Sequence, residues 1–194
     1  MNTHVDVEPL ISISSPYTWI PPLTSSFKLN IDASGPVENK WGVGAIVRDS
    51  EGFVLTAVTW NIKALPDATI AEALGFRLTI QFSYDMGFRN IIMQGDSLNV
   101  VKALKSQSDD NSYFGLVIND CKSLSCLFSS SLVSHVRRVG NSVAHALAKF
   151  ALDSIDSVWI EKIPSCIGSV VATDLVPCIF FSVKKKMPYK YVKL

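Results

Sequence analysis

The sequence has little of what marks a membrane or secreted protein. No stretch of its 194 residues approaches the roughly 20 consecutive apolar residues that cross a bilayer. Residues 1–26 include Asp6 and Glu8 and contain no continuous apolar run, so a signal peptide is not predicted. We therefore expect an intracellular protein, of the nucleus or the cytoplasm, with no membrane partner.

The chain also has no cysteine pair at a recognisable motif spacing and almost no net charge. Its four cysteines form no CxxC pair and have no histidine at zinc-site spacing, which favours free thiols in a reducing compartment over disulfides. The net charge of +1 provides no general attraction to nucleic acid, so any such binding has to come from a local patch. A hydrophobic content of 48% is typical of a folded globular protein.

The first part of the chain has the pattern of an antiparallel meander. Residues 1–26, rich in Ser, Pro and Thr, predict a flexible N-terminal lead-in. Residues 27–32 alternate apolar and polar side chains, as a half-buried strand does. Two further apolar runs, 41–47 and 53–60, are joined by a short turn that contains Gly52, which predicts a hairpin.

The pattern changes to helix after residue 68. The sequence then predicts helices and two short strands in the order helix 68–86, strand 91–94, helix 97–105, helix 113–127, strand 132–136 and helix 141–152. This order predicts an α/β fold with a mixed five-stranded sheet, three antiparallel strands followed by two parallel ones, and helices on both faces. The domain is expected to span 27–153, followed by a C-terminal extension, 154–194, whose end is a Lys-rich solvated tail or a nuclear address.

Three acidic residues are predicted to meet at one edge of this sheet. Asp32 and Asp96 end strands that should lie parallel, and Glu72 lies on the flank of the buried face of the first helix. Carboxylates that converge without basic partners repel one another, and Mg²⁺ or Mn²⁺ would relieve that repulsion. Two such ions can activate a water and stabilise a leaving oxygen in phosphodiester hydrolysis. Taken singly, Asp96 is favoured as a helix N-cap, Glu72 as a solvated helix residue and Asp32 as the outward residue at a strand end.

Five blocks in fixed order resemble the type I ribonuclease H domain, in its plant reverse transcriptase-like branch related to non-LTR retroelements. The blocks are Asn30-Ile-Asp-Ala-Ser-Gly35, Trp41-Gly-Val-Gly-Ala45, Ala71-Glu-Ala-Leu74, Gln94-Gly-Asp-Ser97 and Arg138-Val-Gly-Asn-Ser-Val-Ala-His-Ala-Leu147. The likeness covers about residues 19–174. It implies an endonuclease that cuts the RNA strand of RNA–DNA hybrids with four acids and two Mg²⁺ ions. Asp32, Glu72 and Asp96 match the first three acids.

The fourth acid of that pattern falls on His145. Its helix has a buried stripe formed by Ala144 and Leu147, and His145 lies about 100° from the centre of that stripe, as Glu72 does in its own helix. His145 can therefore point at the edge where the acids meet. An imidazole there can ligate Mn²⁺ or a weakly held second Mg²⁺, or it can be a helix residue without a function. His135, which precedes this helix, is interpreted as an ordinary strand residue.

Candidate nucleic-acid contacts flank the acids. Asn30, Ser34 and Gly35 border Asp32 and offer hydrogen-bonding groups to the RNA. Arg138 and Asn141 stand at the start of the last helix, whose N-terminus favours phosphate.

The leading hypothesis from the sequence is a monomeric ribonuclease H-type enzyme that needs Mg²⁺ or Mn²⁺ and no small-molecule cofactor. It would leave a 3′-hydroxyl and a 5′-phosphate. The alternative is a catalytically weak or inactive nucleic-acid-binding module that was domesticated from a retroelement. A transposase-like nuclease is disfavoured because its last acid is usually a Glu on the closing helix, and His145 stands there instead.

Overall fold

A computed structural model describes residues 19–108 and 110–174, which form a six-stranded mixed sheet with the strand order β5-β4-β1-β2-β3-β6. The strands are β1 (Phe27–Val37), β2 (Lys40–Arg48), β3 (Val54–Lys63), β4 (Asn90–Gly95), β5 (Ser130–His135) and β6 (Ser157–Ile160). The helices are α1 (Ala68–Asp85), α2 (Leu98–Lys105), α3 (Tyr113–Ser125) and α4 (Ser142–Leu152), with 3₁₀ turns at Arg138–Asn141 and Ser165–Ile167. Residues 168–174 are helical as well.

The predicted mixed sheet is confirmed, but its strand count is wrong. β1, β2 and β3 are antiparallel, and β4 and β5 continue the sheet in parallel from β1. The additional strand, β6, pairs antiparallel with β3 and comes from the segment predicted as a C-terminal extension. It has only four residues, of which two are exposed, so its apolar pattern was too short to predict an edge strand.

Helices cover both faces of the sheet, as expected from the sequence. On one face, α1 packs on β1 and β2 and contacts α3, and the buried side chains there include Ile31, Phe76 and Ile118. On the other face, α4 packs on β1, β2 and β3, with Leu147 in a smaller core. Each sheet face is therefore closed by a helix with an apolar stripe.

Two glycines of β2 allow α4 to approach the sheet closely. A Cβ added at Gly42 would lie 2.1 Å from the carbonyl oxygen of Ala148, and one added at Gly44 would lie 2.3 Å from the amide nitrogen of Ala148. Any larger residue would push the helix away from the strand. These glycines thus fix the depth at which α4, and with it His145, lies against the sheet.

The described ends of the chain are buried against this fold. Trp19 is 1% exposed, and its ring stacks on the Arg48 guanidinium, whose Cζ lies 3.7 Å from the ring centroid. Arg48 Nη1 donates to Asp174 Oδ2 at 2.8 Å. The predicted lead-in and the predicted extension each contribute one of these side chains. Residues 1–18 and 175–194, with the Lys-rich tail and Cys178, lie outside the described part of the chain.

The structure also bears on the expected free thiols and on the expected absence of a membrane-spanning helix. Cys121, Cys126 and Cys166 are free thiols. Burial raises the pKa of the Cys121 thiol to about 12, so it stays protonated. Within residues 19–108 and 110–174, no helix combines the length and apolar character required to cross a bilayer.

Candidate active site

Three elements bring Asp32, Glu72 and Asp96 together at one edge of the sheet. The parallel pairing of β1 with β4 runs to Asn30 opposite Gln94, so Asp32 and Asp96 each follow two residues later at the same end. α1 starts at a fixed place because Asp67 Oδ1 accepts hydrogen bonds from two amides of its first turn. One ligand oxygen of each of the three carboxylates lies within 4.8 Å of the others.

The simpler alternatives for these acids do not describe the structure. Asp32 is fully buried and Glu72 is 8% exposed, so neither is a solvated side chain. The N-cap of α2 is Ser97, and Asp96 does not cap that helix. The three acids form a cluster at the edge of the sheet, and such a cluster is consistent with divalent metal use.

Burial and mutual repulsion raise the pKa values of two of the acids. Removal from water raises the pKa of Asp32 to about 9, the charges of Glu72 and Asp96 add to the increase, and Arg138 opposes it. Removal from water also raises the pKa of Glu72 to about 8, with a further increase from Asp96. Without a metal ion, the cluster therefore retains protons at neutral pH.

The Glu72 carboxylate indicates where a cation fits. Its Oε1 accepts a hydrogen bond of 3.3 Å from the Ala33 amide. Its Oε2 is buried and has no hydrogen-bond partner among the described residues. A buried carboxylate oxygen without a donor is costly, and a cation bound beside it would remove that cost. All the ligand atoms are oxygens, which suits Mg²⁺ or Mn²⁺ better than zinc.

Arg138 is a basic partner of two of these acids. Arg138 Nη1 donates to Asp32 Oδ1 at 3.0 Å, and Arg138 Nε lies 3.1 Å from Asp96 Oδ2. Arg138 lies in the 3₁₀ turn before α4, where its sequence position indicated only a contact with phosphate. No local sequence signal shows that this long side chain reaches back over the acids.

His145 lies beside the acids, as its place on α4 indicated. Its Nδ1 is 2.8 Å from Asp32 Oδ2 and 2.9 Å from Arg138 Nη1. A guanidinium only donates, so we assign Nδ1 as the acceptor and place the imidazole proton on Nε2.

His145 brings no charge to the cluster near neutral pH. Partial burial lowers the pKa of its imidazole, and the positive charges of Arg138 and Lys149 lower it further. Among the described residues, the group whose ligand atoms lie within 4.8 Å of one another contains the three carboxylates and not His145. The imidazole is a neighbour of Asp32 at the rim of that group.

The other predicted contact residues divide by exposure. Ser34 is half-buried and Gly35 is exposed, so both can meet a ligand. Asn30 is fully buried and Asn141 is 1% exposed. Asn30 Nδ2 donates to Asn141 Oδ1 at 3.1 Å, and Asn141 Nδ2 donates to the Ile31 carbonyl at 2.8 Å. These two amides join β1 to the turn that carries Arg138.

Sequence reasoning missed a second layer behind Asn30. Its Oδ1 accepts from Trp19 Nε1 at 2.9 Å and from Arg48 Nη2 at 3.2 Å. The Trp19 indole and the Arg48 guanidinium therefore hold the amide that supports β1 two residues before Asp32. A tryptophan inside a polar lead-in, and an arginine at the end of an apolar strand, were the available signals.

His135, interpreted from the sequence as a strand residue, is the last residue of β5. Its Nε2 lies 3.1 Å from the carbonyl oxygen of Asp96.

Comparisons with known proteins give one match at the level of the family. A family model described as reverse transcriptase-like matches residues 30–151. No curated protein sequence matches the chain.

Solved structures show the same fold. Ribonuclease H1 from the archaeon Halobacterium salinarum is 25% identical with a TM-score of 0.61, over 66% of this chain and 98% of that one. The N-terminal ribonuclease H domain of Rv2228c from Mycobacterium tuberculosis is 22% identical with a TM-score of 0.59, over 66% and 94% of the two chains. LC11-RNase H1, isolated from compost and solved with an RNA/DNA hybrid, is 15% identical with a TM-score of 0.58, over 66% and 96%.

Proposed function

Since the chain belongs to the reverse transcriptase-like family of ribonuclease H-type domains, we propose that it is a hydrolase of RNA–DNA hybrids. It would cut the RNA strand of the hybrid and would use divalent cations to do so. The observation that supports this most is the convergence of three carboxylates from three elements, with a buried Glu72 oxygen that has no donor among the described residues. LC11-RNase H1, which has the same fold, was solved with an RNA/DNA hybrid.

The proposed reaction assigns a role to each acid. Asp32, Glu72 and Asp96 hold Mg²⁺ or Mn²⁺, and two ions suit an in-line displacement at phosphorus. When bound, the ions supply Lewis acidity for the attacking water and for the leaving 3′-oxygen. Burial of Asp32 keeps bulk water away from the ligand oxygens and strengthens the electrostatic interactions there. The products would carry a 3′-hydroxyl and a 5′-phosphate.

The residues around the acids would bind and orient the hybrid. Ser34, which is half-buried, and Gly35, which is exposed, offer hydrogen-bonding groups beyond Asp32 in β1, and Arg138 offers a guanidinium to a phosphate. We assign Asn30 and Asn141 to positioning, because their amides are consumed by contacts inside the protein. His145 would complete the cluster as a neutral partner of Asp32, with weaker support for a second ion than an acid would give.

A catalytically weak or inactive nucleic-acid-binding module of retroelement origin is the second candidate. The neutral imidazole at position 145 and the Arg138 cation among the acids both favour it, because each lowers the attraction for a second divalent ion. In either case we propose that the protein acts as an intracellular monomer.

One assay separates the two candidates. A hybrid with a labelled RNA strand is incubated with the protein in Mg²⁺ and, separately, in Mn²⁺, and the cleavage products are resolved by length. The enzyme hypothesis expects internal cuts in at least one metal and none with Asp96→Asn. Binding of the hybrid without cleavage in either metal would leave only the binding module.

A further inference from the structure

The guanidinium of Arg138 occupies the open side of the acidic cluster. It uses different nitrogens for the two acids, with Nη1 at 3.0 Å and 3.3 Å from the two Asp32 oxygens and Nε at 3.1 Å from Asp96 Oδ2. Because Asp32 lies in β1 and Asp96 directly follows β4, one side chain links β1 to the end of β4. Arg138 thus places a positive charge within hydrogen-bond distance of both acids.

The burial of the three groups shows from which side this cation enters. The Arg138 side chain is 57% exposed, whereas the side chains of Asp32 and Asp96 are 0% and 13% exposed. The guanidinium therefore covers the acids from the solvent side. A long side chain with this much exposure can rotate into water without disturbing the core.

The backbone that carries Arg138 is fixed independently of these ion pairs. The turn Arg138–Asn141 ends in two buried residues, and Asn141 Nδ2 donates to the Ile31 carbonyl at 2.8 Å. The turn can keep its place when the guanidinium leaves the acids. The Arg138 side chain thus has two positions available from one anchored backbone.

A divalent ion and the guanidinium would compete for the same oxygens. Mg²⁺ ligands lie about 2.1 Å from the ion, and the Arg138 nitrogens already contact oxygens of Asp32 and Asp96. A divalent ion and the Arg138 guanidinium bound to the same oxygens would lie close together, and in a partly buried site their positive charges would repel strongly. Occupation by one disfavours occupation by the other.

We propose that Arg138 is an internal counter-cation that a divalent ion must displace, and that the displaced guanidinium becomes available to a phosphate of the hybrid. This inference rests on the proposed function of the cluster as a site for divalent ions. It makes metal binding and hybrid binding depend on one side chain: the ion releases the arginine, and the phosphate keeps it away from the acids.

The test measures Mn²⁺ binding by isothermal calorimetry without nucleic acid, so that it does not depend on catalysis. The variants are Arg138→Gln, Arg138→Lys and, as the matched control, Arg137→Gln, which removes the same charge from the exposed neighbouring position. We expect Arg138→Gln to bind Mn²⁺ at least about fivefold more tightly than the natural chain. The Mn²⁺ affinity of Arg138→Lys should lie between those of Arg138→Gln and the natural chain, because an ammonium lacks the planar fork that reaches both acids. Arg137→Gln should change the affinity less than about twofold.

The result separates this inference from the proposed function. If the natural chain binds Mn²⁺ and Arg138→Gln binds it no more tightly than Arg137→Gln does, the counter-cation is overturned and the metal site stands. If neither the natural chain nor any variant binds Mn²⁺ or Mg²⁺, both are overturned. The NMR signal of the Arg138 Nε–H group supplies a second measurement: it should shift on addition of Mg²⁺ and exchange faster with water, and an unmoved signal in the presence of bound metal would contradict displacement.

Discussion

At position 145, an imidazole contacts the most buried acid of the site. Its Nδ1 lies 2.8 Å from Asp32 Oδ2, which is the place where the ribonuclease H pattern has its fourth carboxylate. A neutral ring there adds no negative charge to the cluster. If the cluster binds divalent ions as proposed, the side chain at this position would set how strongly it attracts a second one.

Replacing His145 by Asp should strengthen metal binding and lower the thermal stability of the metal-free protein. A fourth carboxylate adds repulsion to a cluster that already holds protons, so the Tm without metal should fall, and Mg²⁺ should raise it by more than it raises the Tm of the natural chain. If the natural chain is an enzyme, cleavage in Mg²⁺ should also increase. His145→Asn, which is neutral and of similar size to Asp, is the control, and equal Mg²⁺-dependent shifts in the two variants would contradict the prediction.

The raised pKa values predict a stability that falls as the pH rises. In the folded, metal-free protein, Asp32 titrates at about 9 and Glu72 at about 8, against ordinary values of 3.8 and 4.5. Between these limits the folded state binds more protons than the unfolded state, so the free energy of unfolding decreases with increasing pH. Thermal unfolding in a metal chelator, measured from about pH 5 to pH 9, should show a decreasing Tm.

A variant of Asp32 tests whether the cluster causes this decrease of Tm with pH. Asp32→Asn cannot titrate at that position, so its Tm should depend less on pH over the same range. Asp120→Asn, at an exposed acid that is not a member of the cluster, should keep the slope of the natural chain. A natural chain whose Tm rises steadily to pH 9 would contradict the predicted protonation of the acids.

At the scale of the element, the position of α4 depends on glycines of β2, which have no side chain to hold the helix away. Gly44 has no Cβ, and one added there would lie 2.3 Å from the Ala148 amide nitrogen and 2.6 Å from the Ala144 carbonyl oxygen. The helix therefore packs directly on the strand backbone, and His145 on its flank reaches Asp32. The apolar stripe of α4 was predicted from the sequence, whereas the depth of packing depends on a pair of elements about a hundred residues apart.

Gly44→Ala should force α4 away from β2. Overpacking of this kind costs about 1–3 kcal/mol of the free energy of unfolding, and backbone contacts place this case at the upper end. Denaturant unfolding measures the loss. Gly168→Ala is the matched control, because a Cβ at that position meets no atom within 4 Å. Equal unfolding midpoints for the two variants would contradict the close approach of α4.

At the scale of the whole molecule, the two ends of the described chain meet behind the site. Trp19 and Asp174 both contact Arg48, and Trp19 and Arg48 both donate to Asn30. Neither end lies within residues 30–151, which the family model matches. The network therefore ties segments outside the matched range to the strand that holds Asp32.

Removing the charge of Asp174 should destabilise the fold far more than removing that of an exposed acid. Arg48 is fully buried, and loss of one partner of a buried ion pair costs about 3–5 kcal/mol of the free energy of unfolding. Asp120→Asn is the control: its pair with Arg77 has the same kind of geometry, at 2.9 Å, but both side chains are largely exposed. That loss should stay below about 1 kcal/mol. Similar unfolding midpoints for Asp174→Asn and Asp120→Asn would show that the buried network contributes little.

The sequence by itself determined the order of strands and helices, the layering of helices on the sheet and the meeting of Asp32, Glu72 and Asp96. These follow from local periodicity and from the rule that neighbouring parallel strands end at one edge. Only the tertiary structure decided that Arg138 covers the acids, that Asn30 and Asn141 are buried, and that β6 and Trp19 join the fold. Arg138 and Asp32 are 106 positions apart, and Arg48 and Asp174 are 126 apart. No local pattern encodes such distances, because packing of the whole chain sets them.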